Sequence, residues 1–560
     1  MQRCFLQFIV AVSCAFIYSP AASAEPRSIK ETDIFGFKWI GDPQLARDGA
    51  DVAYVLVNVD DKRENYETSV WRVTTANAEA RQLTMGKHDF SPRWSPDGKW
   101  LAFLRQGDKD ASGKPAPAQL WVLPMNGGEA QQLTRLPKGA ANPVWSNDGK
   151  TIAFLSGTNS LDLTTAACAA DPAADKKKCT TPRQTDVQVI TRAVYRANGQ
   201  GYLDFSRPNH IWTIAFTPAA TTAPEAKQLT RGDFDERELV WAANDERICY
   251  ATNRNLEPYD RLPEDVIACV PVAVREDGKA IEMLKFPGRV GALSMNPQGT
   301  QLAFLAASST PVQSHSKTNL WVVDLAPGAA AKNVSAKHDW EIGGGIINDQ
   351  GTPRAGGEVK PLWSADGQAI TVVVAQEGRA NLERFNLRDG SITKITDGDQ
   401  AVTRYTSNGK DVVALISNPS EINDLFFIDG NGGKPKRLTS VNQIHALVQL
   451  PPDFDPKKKY PLILNIHGGP HATYGYAFFH EMQWMAAKGY VVLYPNPRGS
   501  TSYGEAFANV IQYRYPGDDY KDLMAGVDEL IRQGYVDEKR LGVTGGSGGG
   551  LLTNWVIGHT

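Results

Sequence analysis

Cysteine is scarce: the chain has 6 in 560 residues, and neither a Cys-x-x-Cys nor a His-Glu-x-x-His spacing occurs. The common zinc patterns are therefore missing, and a metal-dependent chemistry has little support. No charge of one sign prevails, because 59 Lys and Arg against 62 Asp and Glu leave a formal net charge of -3. That balance gives no electrostatic reason to expect nucleic acid or an acidic membrane surface as partner. No apolar run reaches the roughly 20 residues that a membrane-spanning helix needs. A glycine-rich segment ends at Gly550, but no Lys-Ser or Lys-Thr follows it, which removes the phosphate-loop reading. Carboxylates are missing altogether from the 13 residues after Ser547.

What is present begins with an exported leader. Arg3, an apolar run from Phe5 to Tyr18 and then Ala22-Ser23-Ala24 read as a signal peptide cleaved after Ala24, leaving a periplasmic or secreted protein. The alternatives are a buried N-terminal helix and a lipid-anchored form modified at Cys14, for which Ala11-Val12-Ser13 is a poor lead-in. Without the leader four cysteines remain, in two sequence-local pairs. In an oxidising compartment, Cys168–Cys179 and Cys249–Cys269 are the simplest of the three connectivities, against four buried thiols.

A 560-residue chain is too long for one core and divides into domains. From about residue 43 to 440 a turn of the type Trp-Ser-x-Asp-Gly recurs, followed by β-rich runs and a Leu-Thr ending. The turns lie at Ala46–Gly49, Trp94–Gly98, Trp145–Gly149, Trp241–Asp245, Met295–Gly299, Trp363–Gly367 and Tyr405–Gly409, and units end at Leu83-Thr84, Leu133-Thr134, Leu229-Thr230 and Leu438-Thr439. Repeats of this length with about four short strands are propeller blades. The reading is a seven-bladed β-propeller over 25–440, with a long insertion between Gly157 and Asn209 whose Lys176-Lys177-Lys178 is a solvated loop.

After the Pro- and Lys-rich turn at 451–459 the pattern changes. Leu462 to Ile466 is expected as a strand, Ala477 to Ala487 as a helix, Tyr490 to Tyr494 as a strand, Tyr520 to Gln533 as a helix with Leu523, Val527, Leu530 and Ile531 on one face, and Leu541 to Thr544 as a strand. Alternating strands and helices imply a mainly parallel sheet over 441–560, the first part of an α/β-hydrolase domain. Gly545-Gly546-Ser547-Gly548-Gly549 then stands between a strand and an apolar helix, the setting of a nucleophile elbow, where flanking side chains would collide with that strand and helix. His467-Gly468-Gly469-Pro470 follows a strand, where such a fold supplies half of its oxyanion hole. Gly469 and Gly548 are the candidate backbone donors, and His467 a hydrogen-bonding residue of the loop.

This order of parts, with His467-Gly468-Gly469-Pro470-His471, then Asn496-Pro497-Arg498-Gly499-Ser500-Thr501-Ser502-Tyr503-Gly504, then the Ser547 motif, resembles the prolyl oligopeptidase family of serine peptidases, in its acylaminoacyl and dipeptidyl peptidase branch. The resemblance implies Ser547 as nucleophile, Gly469 with Gly548 as oxyanion hole, short peptides as substrates admitted past the propeller, and no cofactor. Three departures stand out. Gly548 replaces the usual tyrosine. The path from Thr439 to Ile444 is short, as if a strand pair had been cut out. The triad Asp and His, expected after the nucleophile, are absent from this chain: only His559 follows, some 18 Å along a helix. The sequence thus reads as a C-terminally truncated and catalytically incomplete peptidase; a propeller scaffold that binds without chemistry and an esterase using the same serine are the other readings.

Overall fold

The computed structural model describes residues 27–560 apart from 110–112, 175–178, 180–186, 188, 199–200, 219–223, 256–260, 274–278, 358 and 443–448. The leader, Cys14 and the short path at Ile444 lie outside the described residues.

Each recurring turn joins the first and second strands of a four-stranded antiparallel sheet. In the turn after Trp94, the Ser95 Oγ donates to Asp97 at 2.6 Å and accepts the Trp100 N–H, while Gly98 takes φ +69°. A residue with a side chain would be strained at that angle. The tryptophan of the motif works between sheets. Trp94, Trp145, Trp241 and Trp363 each donate the indole N–H to a backbone carbonyl of the preceding sheet's first strand, at Gln44, Arg93, Val144 and Ser294 respectively. The closing threonine is a local cap. Thr84, Thr134, Thr230, Thr396 and Thr439 each accept, through Oγ1, an N–H of the third strand in their own sheet.

Seven such sheets follow one another along the chain. Five are separate and four-stranded; the last two, around strands Ala369–Gln376 and Val412–Asn418, are linked into one by a single parallel bridge between Ala380 and Ala401. The ring closes without sharing a strand. Blade 1 (Trp39 to Gln82) and blade 7 (Ala401 to Arg437) meet through a core of Ile40, Leu45, Tyr54, Val413, Leu415 and Leu425. Helix α1 (Ser160–Ala170) and a small hairpin occupy the insertion between the second and third strands of blade 3. The sulfurs of Cys168 and Cys179 are joined within it, and those of Cys249 and Cys269 join directly opposed residues of two blade 4 strands.

The first strand of blade 6 is broken in two, at Glu341–Ile342 and Leu362–Trp363, both pairing with Ala369–Gln376. The intervening loop, 343–361, crosses the inside of the ring. Its Gln350 accepts the Trp39 indole N–H, its Thr352 donates to the Ile40 carbonyl, and Ala355 is buried so tightly against blade 1 that a Cβ on Gly41 would lie 2.4 Å from it. Gly356 and Gly357 reach the first strands of blades 2 and 1, near Ser91 and Asp42.

That domain has a three-stranded parallel sheet, with Tyr460–Ile466 between Val491–Leu493 and Val536–Gly545. Helices α4 (Asp519–Arg532) and α5 (Gly548–His559) bury Leu523, Val527, Leu552 and Val556 against it, while α3 (Glu505–Asn509) lies toward blade 5. Leu541, Leu551 and Ile557 are exposed on the edge strand and α5. Helix α2 (His480–Ala487) starts three residues later than its apolar pattern suggests. Phe478 instead lies ahead of the helix, its N–H bonded to Ser417 of blade 7 and its ring against Phe37. The helix begins where Asp349, from the crossing loop, accepts the N–H groups of His480 and Glu481 at 2.9 and 2.8 Å. A carboxylate there satisfies orphan donors and complements the helix dipole.

One buried acid in blade 7 makes the fold pH-sensitive. Burial pushes Asp424 up to about 6, against the opposing pull of its Thr439, Val441 and Arg437 contacts. A carboxyl whose folded pKa is raised gives stability that is fully present below its unfolded value near 3.8 and is lost as pH rises through 6. Urea midpoints of the wild type relative to Asp424→Asn are therefore expected to fall between pH 4 and pH 7; parallel profiles would count against this burial effect.

Candidate active site

The C-terminal ends of the two longer hydrolase strands lie side by side, with Ile466 opposite Gly545. From the first emerges the loop His467–His471. From the second the chain turns sharply at Ser547, held at φ 56° and ψ −120°, and enters α5 at once. This conformation is sparsely populated for a residue with a side chain, and such strain persists only where the surroundings enforce it. They do so by crowding. A Cβ on Gly549 would stand 2.0 Å from the Ile466 carbonyl oxygen, and one on Gly545 2.7 Å from the same atom and 2.6 Å from the Gly549 oxygen. Only glycine fits either place, whereas a Cβ on Gly546 would meet nothing within 4 Å.

The two loops face each other. A Cβ on Gly468 would lie 3.3 Å from the Ser547 Cβ and 3.8 Å from its Oγ, and one on Gly548 would lie 2.9 Å from the Gly469 oxygen. Gly469 takes φ +128° and precedes a cis proline. Among the described residues the N–H groups of Gly469 and Gly548 have no backbone hydrogen-bond partner. Two unspent donors on either side of a strained serine are the arrangement that stabilises a developing oxyanion.

Histidines are close, but they are spent on the scaffold. His467 is 5% exposed; its Nδ1 meets the Gly468 carbonyl at 2.8 Å and its Nε2 the Ser500 hydroxyl at 3.0 Å, and burial lowers its pKa. His471 donates from Nδ1 to the Gly499 carbonyl at 2.9 Å, and burial followed by the nearby His315 lowers its pKa against that bond. His559 lies at the far end of α5, stacked on Trp555 at 4.2 Å with Nδ1 on its carbonyl. No hydrogen bond to the Ser547 Oγ occurs among the described residues.

The segment 496–504, which on sequence grounds is only a shared pattern, braces the site. Asn496 exchanges hydrogen bonds with the Tyr474 backbone, and Arg498 forms a bidentate pair with Asp522 of α4 at 2.8 and 2.7 Å. Ser502 then anchors the domain to blade 6, accepting the N–H groups of Glu377 and Gly378. Tyr515 also escaped sequence reasoning: its hydroxyl donates to the Gly548 carbonyl at 2.8 Å and fills space left by the missing side chain at 548. No local pattern marks it. Beneath the elbow is a cavity of about 330 Å³ lined by Asn465, His467, Gly468, Glu481, Gly545 and Gly546 among others. Among the described residues no cluster of three or more His, Cys, Asp or Glu could hold a metal ion, and no helix is long and apolar enough to cross a membrane.

A seven-bladed propeller docked on a parallel sheet with a serine elbow defines a propeller-bearing α/β-hydrolase. The model of the prolyl oligopeptidase family matches residues 476–560. Peptidase YuxL of Bacillus subtilis is 29% identical over 559 residues, covering 95% of this chain and 80% of the relative. Dipeptidyl-peptidase 5 of Porphyromonas gingivalis is 23% identical over 530 residues, covering 83% of this chain and 74% of its own length. The fold is shared with acylaminoacyl peptidase of Pyrococcus horikoshii at a TM-score of 0.69 and 20% identity, over 95% of this chain and 77% of that structure.

Proposed function

We propose that the site is that of a serine exopeptidase acting on short peptides, in which Ser547 forms an acyl-enzyme and the N–H groups of Gly469 and Gly548 hold the oxyanion. The observation that carries this is the strained Ser547 facing the Gly468-Gly469 loop with two unspent donors beside it. Relatives named as a dipeptidyl and an acylaminoacyl peptidase support N-terminal dipeptides or acylated residues as the groups released. The leader 1–24, cleavage after Ala24, export to the periplasm or medium, and the two cystine pairs form one consistent part of the proposal, as do domains at 25–440 and 441–560.

A serine hydroxyl needs a base oriented by a carboxylate. Among the described residues neither is brought to Ser547, so this polypeptide by itself is proposed to bind without turning substrate over. The test compares it with the same polypeptide extended by a hydrolase segment carrying a downstream Asp and His. Dipeptidyl and acylaminoacyl p-nitroanilides, a p-nitrophenyl ester and a fluorophosphonate label are the probes. Turnover and labelling are expected only in the extended form, and a drop of about 10⁴-fold or more with Ser547→Ala. Hydrolysis that survives Ser547→Ala, or cleavage of the ester alone, overturns the peptidase reading.

A further inference from the structure

Blade 5 meets the hydrolase through the loop between its second and third strands, Gln301–Ser308 and Asn319–Asp324. Helix α3 clasps this loop. Its Asn509 accepts the His315 N–H at 2.9 Å and the Ser314 hydroxyl at 3.0 Å, and donates to the His315 carbonyl at 2.7 Å. The His315 ring is thereby held 5.2 Å from that of His471, centre to centre, with the planes 36° apart. One ring belongs to the propeller. The other stands two residues beyond Gly469, in the loop that follows strand Tyr460–Ile466.

Each imidazole is oriented from behind. His315 Nε2 meets Glu341 Oε2 at 3.0 Å, and the second oxygen of that carboxylate accepts the Thr318 N–H at 3.0 Å. His471 Nδ1 meets the Gly499 carbonyl at 2.9 Å. A carboxylate and a carbonyl can only accept, so each holds a proton on the ring nitrogen that faces it and leaves the other nitrogen of a neutral ring as a bare lone pair. Among the described residues neither His315 Nδ1 nor His471 Nε2 has a hydrogen-bond partner. Lys317, also of this loop, is taken up by Asp339 and the His338 carbonyl. The His315 side chain is 15% exposed and His471 is half-buried, so neither ring is sealed from solvent.

We propose that His315 Nδ1 and His471 Nε2 bind one zinc ion between them, across the seam that joins propeller and hydrolase. A carboxylate or backbone carbonyl behind each ring is the outer shell that metal-bound histidines carry. An ion about 2.0 to 2.1 Å from one nitrogen of each ring, at a tetrahedral angle, sets the ring centres about 5 Å apart, the separation found here. Two protein ligands are fewer than the three or four of catalytic and structural zinc sites, so water completes the shell and the affinity is modest. The ion ties blade 5 to the loop that carries Gly469, and its binding does not rest on the chemistry at Ser547. The test is isothermal titration of zinc chloride into the 560-residue chain, prepared without a histidine tag, with magnesium chloride as control because that hard cation prefers oxygen ligands. One saturable zinc site per chain is expected, together with a rise in the thermal midpoint on adding zinc. Glutamine keeps a donor for Glu341 or Gly499 but lacks the second ring nitrogen. His315→Gln and His471→Gln are each expected to raise Kd about tenfold or more, and Glu341→Gln, which removes only the outer partner, about tenfold. Circular dichroism verifies the fold of every variant. The inference is overturned by the absence of saturable zinc binding below millimolar concentration, by equal binding of magnesium, or by zinc affinity that is unchanged in the folded His315→Gln/His471→Gln double variant. Loss confined to one single variant also overturns it, since the ion would then not bridge the two domains.

Discussion

Alanine at position 549 is expected to cost about 3 kcal/mol and to collapse the elbow, because its Cβ would sit 2.0 Å from the Ile466 oxygen and 2.8 Å from that of His467. Backbone atoms on a central strand cannot swing aside as a flexible side chain can. Gly545→Ala, crowded from two sides, is expected to cost nearly as much. Gly548→Ala meets the Gly469 oxygen at 2.9 Å and the Tyr515 hydroxyl at 3.0 Å, so an intermediate loss of about 1 kcal/mol is expected. Gly546→Ala, with open space around it, is expected to stay within about 0.5 kcal/mol of wild type. Urea denaturation combined with limited proteolysis of the hydrolase part measures the series. An equal response to alanine at 546 and 549 would mean that the elbow is not packed as described.

The second large effect is expected in blade 2. Asp89 is fully buried and accepts Arg105 Nε at 2.6 Å and Nη2 at 2.8 Å, with the Gly86 N–H at 3.1 Å. Arg105→Met preserves much of the side-chain volume and strands the carboxylate, a change worth about 3 to 5 kcal/mol. The sign of the partner substitution separates charge from packing. Asp89→Asn in the Arg105→Met background removes the buried charge and is expected to recover part of the loss by thermal unfolding. A double variant less stable than Arg105→Met alone would show that packing against Phe103 and Trp121, and not the ion pair, is what the arginine provides.

Blade number, hydrolase order and the place of the candidate nucleophile were legible because each rests on local chemistry. A Trp-Ser-x-Asp-Gly turn carries its own hydrogen bonds within five residues, and glycines around Ser547 answer to neighbours fixed by the strand and helix on either side. The loop that crosses the inside of the ring could not be read in the same way. Residues 343–361 have no repeat pattern, and the contacts that define them reach back some three hundred residues to Trp39 and Ile40. Asp349 was equally hidden, since a cap on α2 supplied from another domain breaks the rule that a cap precedes its helix. For the same reason the start of α2 was misjudged by three residues. The scaffolding role of Ser500, Ser502 and Tyr515 also depends on distant partners.

Loop 343–361 also joins the two domains. Gln350 and Ala355 are buried against blade 1. Lifting the loop off blade 1 would break the Gln350 and Thr352 bonds and displace the acid that caps α2, so the seating of one loop holds propeller and hydrolase together.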